Sequence, residues 1–241
     1  MLRHLRTTMD VGANLLLVIA ASALLWRLYQ TPGSPQDRAA GPLVEDIKGP
    51  TLSASYTRHA QGAGRVVLIE FSDFECPFCA RHAQTTAPKI KELFVDSRRI
   101  QHVFLNFPME FHRNAQVAAE AAECAALQGK FWQMHERLYA QQQALRKTDL
   151  MLAAQTLELD ATAFGECLNT GETKDKVMRD AEEGRRLGVS GTPAFLLGIR
   201  RKDGSIDLMK RLNGALPFER FEETINEVLS RAETQKETRS S

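Results

Sequence analysis

Neither sign of charge is in excess in this chain, where 31 Lys and Arg face 30 Asp and Glu. A nucleic-acid partner requires a basic field that attracts phosphates, and none is implied. Cysteine is scarce, with four in 241 residues. Cys76 and Cys79 make one Cys-x-x-Cys, while Cys124 and Cys167 stand apart, a usage that suits a cytosolic redox protein as well as an exported one. A zinc site is disfavoured because Cys76 and Cys79 have no second Cys-x-x-Cys and no His-x-x-x-His to complete four ligands. The other histidines are scattered, and His82, three residues after Cys79, reads as a surface or helix-packing side chain. No metal is expected. No internal repeat is evident, and the 43% hydrophobic content is enough for one full core, hence one domain with extensions.

A long uncharged apolar run occurs near the N-terminus, over residues 11–26, behind Arg3 and Arg6. It reads as an export signal. The favoured form is an uncleaved membrane anchor over residues 1–29, with Arg27 snorkelling and Trp26 and Tyr29 at the far interface. Cleavage after Ala21-Ser22-Ala23 is the alternative, and a buried N-terminal helix is the bland one. The positive-inside rule leaves the N-terminus in the cytoplasm and the rest of the chain on the extracytoplasmic or periplasmic side. Residues 30–50 contain Pro32, Pro35, Pro42 and Pro50 with Gly33, Gly41 and Gly49, the composition of a stalk. Residues 51–65 stay ambiguous, and the folded domain is expected over residues 51–232.

Residues 66–71, Val-Val-Leu-Ile-Glu-Phe, have the composition of a buried strand. The helical pattern that follows runs from about 77 to 97, with a kink expected at Pro88. Residues 100–107 predict a second strand, parallel to the first through a right-handed crossover. Residues 112–187 read as successive helices, with an alanine face from Ala115 to Ala126 and a stop at Gly129. Residues 194–199 and 206–212 form a hairpin across Asp203-Gly204, a helix over 217–231 closes the domain, and residues 233–241 read as a disordered tail. The fold class is therefore α/β, with a helical insertion at about 112–187 between a β-α-β half and a β-β-α half.

Cys76 falls at a helix N-terminus, where unpaired N–H groups and the positive end of the helix dipole favour thiolate over thiol. Pro77 suits the first turn, where its missing N–H costs nothing. Cys79 lies one turn further on and is placed to resolve a mixed disulfide formed at Cys76. Glu75 opposes ionisation of Cys76, but as a solvated carboxylate it should yield to the dipole.

Three segments carry a family likeness. Glu70-Phe71-Ser72-Asp73-Phe74-Glu75-Cys76-Pro77-Phe78-Cys79, Gln128-Gly129-Lys130-Phe131-Trp132 and Gly188-Val189-Ser190-Gly191-Thr192-Pro193-Ala194-Phe195 resemble the DsbA-like thiol:disulfide oxidoreductases of the thioredoxin superfamily, over roughly residues 64–231. The resemblance implies a thioredoxin fold carrying a helical insertion, with Cys76 as nucleophile and Cys79 as resolving thiol. It also implies a cis Thr192-Pro193 bond opposite them, with Thr192, Pro77 and Phe78 meeting an extended substrate chain. A structural disulfide between Cys124 and Cys167 follows from the same likeness, two buried free thiols being the bland alternative. Strongly oxidising members of the family usually carry His where this chain has Phe78, which gives a thiolate no hydrogen bond.

The expected protein is a monomeric enzyme that donates disulfides to reduced exported polypeptides. It needs no cofactor beyond the Cys76-Cys79 disulfide and is reoxidised by a quinone-linked membrane partner of the DsbB or vitamin K epoxide reductase type. The rivals are a disulfide reductase or isomerase of the same fold, and a non-catalytic anchored module that binds a metal or an extended chain.

Overall fold

The computed structural model describes residues 43–237. The expected anchor over residues 1–29 and the first part of the stalk lie outside the described residues. Within them, no helix is long and apolar enough to cross a membrane.

The strands are β1 (Val44–Asp46), β2 (Thr51–Leu52), β3 (Ala60–Gly62), β4 (Val66–Ser72), β5 (Ile100–Asn106), β6 (Ala194–Arg200) and β7 (Ile206–Asn213). They form one sheet in the order β1-β7-β6-β4-β5-β3, with β2 also pairing with β7. β4 is buried at all seven positions because strands flank it on both edges and helices cover both faces. It runs parallel to β5, with Val66 opposite Ile100, and antiparallel to β6, with Phe71 opposite Ala194. Alternation then sorts its side chains: Val66 and Leu68 pack under one helical layer, while Val67, Ile69 and Phe71 pack under the other.

The stalk expectation fails at its end. Val44, Glu45 and Asp46 pair with Leu212, Arg211 and Lys210, and Glu45 and Asp46 form ion pairs with Arg211 and Lys210. Strand pairing uses backbone groups, and three residues lying between Pro42 and Pro50 keep every N–H the ladder needs.

The helix after the Cys-x-x-Cys is broken in pitch. α1 (Pro77–Arg81) passes into a π-helical turn at His82–Thr86, then α2 (Ala87–Ile90), then a second π turn at Lys91–Val95. Pro88 has no N–H for the regular ladder, and the Ala87 N–H reaches back five residues to His82 O. The insertion is α3 (Ala115–Ala126), α4 (Phe131–Ala140), α5 (Lys147–Thr156), α6 (Ala161–Thr170) and α7 (Lys174–Arg186). α7 sits hard against the sheet because residue 184 is glycine; a Cβ there would lie 2.6 Å from the Phe107 ring. A Cys124–Cys167 disulfide, with Cα atoms 5.9 Å apart, ties α3 to α6.

The last helix, α8, spans Phe218–Glu237, so the expected tail is helical over 233–237. Residues 231–237, Arg-Ala-Glu-Thr-Gln-Lys-Glu, are mostly good helix formers, and buried Ala232 anchors them to the core beside Val228.

Candidate active site

β4 delivers the chain to α1 through the loop Asp73-Phe74-Glu75-Cys76. Cys76 is the N-cap of α1 and Pro77 its first residue. Both active-pair cysteines are free thiols. Cys79 is fully buried, and Cys76 is only 4% exposed, because the segment before β6 covers it. There the Thr192-Pro193 bond is cis, and the Cys76 thiol donates to Thr192 O at 3.5 Å. Thr192 Oγ1 is buried with no other partner, free to donate to a thiolate at Cys76. Pro77 is exposed, and Phe78 stands 55% exposed with the Arg81 guanidinium over its ring.

The two sulfurs are electrostatically unlike. The Cys79 thiol, hydrogen-bonded to the Cys76 sulfur, brings Cys76 from an ordinary value near 9.0 down to about 6, helped by Thr192 and by the N–H groups of Cys79 and Phe78 against the opposing effect of burial. The helix-end N–H groups anticipated from the sequence thus contribute behind the neighbouring thiol. Burial pushes Cys79 well above its usual value, its bond to Cys76 adds to this, and a hydrogen bond with Ser72 offsets part of it.

Each loop residue is also held by a distant segment, and these holders carried no sequence signal. Asp73 Oδ1 accepts from Glu75 N at 2.7 Å, while Oδ2 accepts from Met109 N and pairs with His112 Nδ1, each at 2.8 Å. Glu75, expected to be solvated, accepts from Asn114 N at 2.6 Å and Asn114 Nδ2 at 3.1 Å. Gln142 donates to Phe74 O and Cys76 O. The Phe74 ring packs on Phe104 and Tyr139, and the Tyr139 hydroxyl donates to Ser72 Oγ at 2.8 Å.

Below the loop, buried Glu70 bonds His102 Nε2 at 3.0 Å. Burial alone would raise its carboxyl; the His102 bond and nearby His82 overcome this and hold it at about 2. His82 is the helix-packing histidine anticipated, against Phe195 and Phe221, and burial pushes it down to about 4. Among the described residues no group of three or more His, Cys, Asp or Glu is arranged to hold a metal ion.

A thioredoxin sheet with a Cys-x-x-Cys at its strand-to-helix junction, faced by a cis proline, defines the class: a thioredoxin family model matches residues 57–229, and the chain belongs to that family. Among particular relatives, a probable disulfide bond formation protein D of Bacillus cereus is 29% identical over 175 residues, which cover 68% of this chain and 81% of that one. A Na(+)/H(+) antiporter NhaA 3 of Salinispora tropica is 39% identical over 144 residues, 59% of this chain and 22% of the antiporter. The chain thus spans less than a quarter of that antiporter's length. The crystal structure of oxidised BdbD from Bacillus subtilis superposes with a TM-score of 0.61 at 20% identity, covering 77% of this chain and 100% of that chain. That likeness is one of fold, helical insertion included.

Proposed function

We propose that the protein is a thiol:disulfide oxidoreductase that donates its Cys76-Cys79 disulfide to reduced exported polypeptides. The observation that supports this reading best is the inequality of the pair: an acidic sulfur at the helix N-terminus under Thr192, and a fully buried partner behind it. A substrate thiolate attacks Cys76 Sγ, the Cys76-Cys79 bond breaks, and Cys79 leaves with the electron pair. A second substrate thiolate then attacks the substrate's own sulfur in the mixed disulfide, closing the substrate disulfide and releasing Cys76 as thiolate. The pair itself carries the two electrons, with no further cofactor. Thr192 offers its backbone to the substrate chain beside Pro193, and exposed Pro77 and Phe78 give that chain an apolar footing.

Reoxidation falls to a quinone-linked membrane partner of the DsbB or vitamin K epoxide reductase type, and residues 1–29 anchor the domain on the extracytoplasmic side. Phe78 favours one second reading, a reductase, because the side chain beside Cys76 gives the thiolate no hydrogen bond and so lessens oxidising strength. Equilibrating the protein with glutathione decides between them. An oxidase is fully reduced by a modest excess of reduced glutathione and transfers its disulfide to a reduced, unfolded test protein; a potential as low as thioredoxin's, with no such transfer, overturns the oxidase reading.

A further inference from the structure

Three segments of the chain meet the same end of the sheet side by side. Ser72 at the end of β4 lies opposite Asn106 of the parallel β5, and Phe71 lies opposite Ala194 at the start of β6. Neighbouring strands stand about 4.8 Å apart, so the Cys76 loop is flanked on one side by Thr192-Pro193 entering β6 and on the other by residues 107–114 leaving β5. The second flank carries Phe111, 72% exposed and the most exposed large apolar side chain among the described residues. A lone exposed apolar side chain is ordinary on a protein surface. This one is set apart by how it is fastened. Before it, Met109 N donates to Asp73 Oδ2 at 2.8 Å; after it, His112 Nδ1 bonds the same oxygen at 2.8 Å and Asn114 N donates to Glu75 Oε2 at 2.6 Å. The His112 N–H closes the turn onto Met109 O at 3.0 Å. The Phe111 ring stands edge-on to the His112 ring, with centroids 4.5 Å apart, and Asp73, which holds His112, also accepts the Cys76 N–H on its backbone oxygen at 3.1 Å.

We propose that Phe111 is a specificity-determining contact for the polypeptide substrate, taking an apolar side chain a few residues from the substrate cysteine while that cysteine is joined to Cys76. The inference rests on the reading of Cys76 as the sulfur that meets the substrate, and it adds a selection to that reading. An extended chain advances about 3.3 Å per residue, so a substrate crossing the sheet end from Thr192 over Cys76 reaches the Phe111 flank within about four residues. Cysteine is among the most buried residue types, and its neighbours in a folded protein are largely apolar. Those neighbours are accessible only while the substrate is unfolded, so an apolar contact at this distance favours unfolded chains over folded ones. Because the loop is already pinned to Asp73 and Glu75, binding costs little further ordering on the enzyme side.

The test uses the full oxidised chain, whose disulfide is opened by excess thiol, quenched with acid and scored by alkylation of Cys79. Three thiols are compared: a peptide whose single cysteine is flanked by leucines, the same peptide with serines in their place, and 2-mercaptoethanol, which is too short to reach Phe111. Wild type should react about tenfold faster with the leucine peptide than with the serine peptide, the size expected for covering part of one aromatic side chain. Phe111→Ser should remove most of that preference, and Phe111→Leu should keep most of it. A wild type that does not distinguish the peptides, or a preference that survives Phe111→Ser, overturns this inference alone. So does a loss of rate shared equally by all three thiols, which would mean that Phe111 only shapes the loop. A wild-type disulfide that none of the three thiols opens overturns the redox reading, and this inference with it.

Discussion

Gln142 donates from one side-chain nitrogen to two backbone carbonyls of the active-site loop, Phe74 O at 2.7 Å and Cys76 O at 3.0 Å. It belongs to the segment that follows α4, so the insertion reaches across and fixes the turn from which Cys76 projects. Gln142→Ala removes both bonds and leaves two loop carbonyls without this donor. Stability should fall by about 1–3 kcal/mol, measured by urea unfolding of the reduced protein. An unchanged midpoint would mean that the loop does not depend on this side chain.

Cys76 should titrate at about 6, read from thiolate absorbance in the reduced protein. The sign follows from a folded-state value below the ordinary one. The thiolate stabilises the reduced folded protein fully above the ordinary thiol value near 9.0, and that contribution is lost as pH falls through about 6. The disulfide should therefore lose its oxidising advantage over an ordinary dithiol towards acid pH. A Cys76 that titrates near 9.0 contradicts the hydrogen-bonded site described above.

The two active-site cysteines should differ in what they trap. Cys79→Ala removes escape through the enzyme's own thiol and should accumulate mixed disulfides with exported proteins, seen on non-reducing gels after acid quenching. Cys76→Ala should accumulate none. Equal adducts in both variants would mean that the roles are misassigned.

The Cys124–Cys167 bond closes a loop of 43 residues and on the chain-entropy model contributes up to about 4 kcal/mol. Replacing both by alanine should lower the denaturation midpoint and leave the Cys76-Cys79 potential unchanged. Peptide mapping should find 124 and 167 still joined when the active pair is reduced. Alkylation of both in unreduced protein would refute the bond.

Lys176 Nζ bonds Glu123 at 2.6 Å and Asp180 at 3.1 Å, with both carboxylates buried. Asn106 of β5 donates to the same two carboxylates, so this cluster seats α3 and α7 on the sheet. Lys176→Met should cost about 3 kcal/mol, since it leaves buried charge with less compensation. A chemical-denaturation midpoint equal to wild type would show that the cluster contributes nothing to that seating.

What the sequence disclosed followed from spacing and local composition. The apolar run of β4, the Cys-x-x-Cys and the Asp203-Gly204 hairpin are each short contiguous patterns that the structure places as read, whereas the cis Thr192-Pro193 bond and the Cys124–Cys167 disulfide were implied by the family likeness and are both present. What stayed hidden depends on partners far apart in the chain. Asn114 holds Glu75 across 39 residues and Gln142 holds Phe74 across 68, and nothing in an isolated Asn or Gln announces such a bond. Composition also misled where backbone pairing decides: Val44–Asp46 looked like stalk because its neighbours are Pro and Gly, yet three free N–H groups were enough for an edge strand.

The holding of residues 72–76 from outside bears on transplanting the redox motif. Tyr139 and Gln142 come from the insertion and its loops, His112 and Asn114 from the approach to it, and Thr192 from the return to the sheet. A shortened chain joining the β-α-β half directly to the β-β-α half would retain both sulfurs and the cis proline. It would lose most of the bonds that aim them, so the helical block is as much a component of the reaction centre as the cysteines it surrounds.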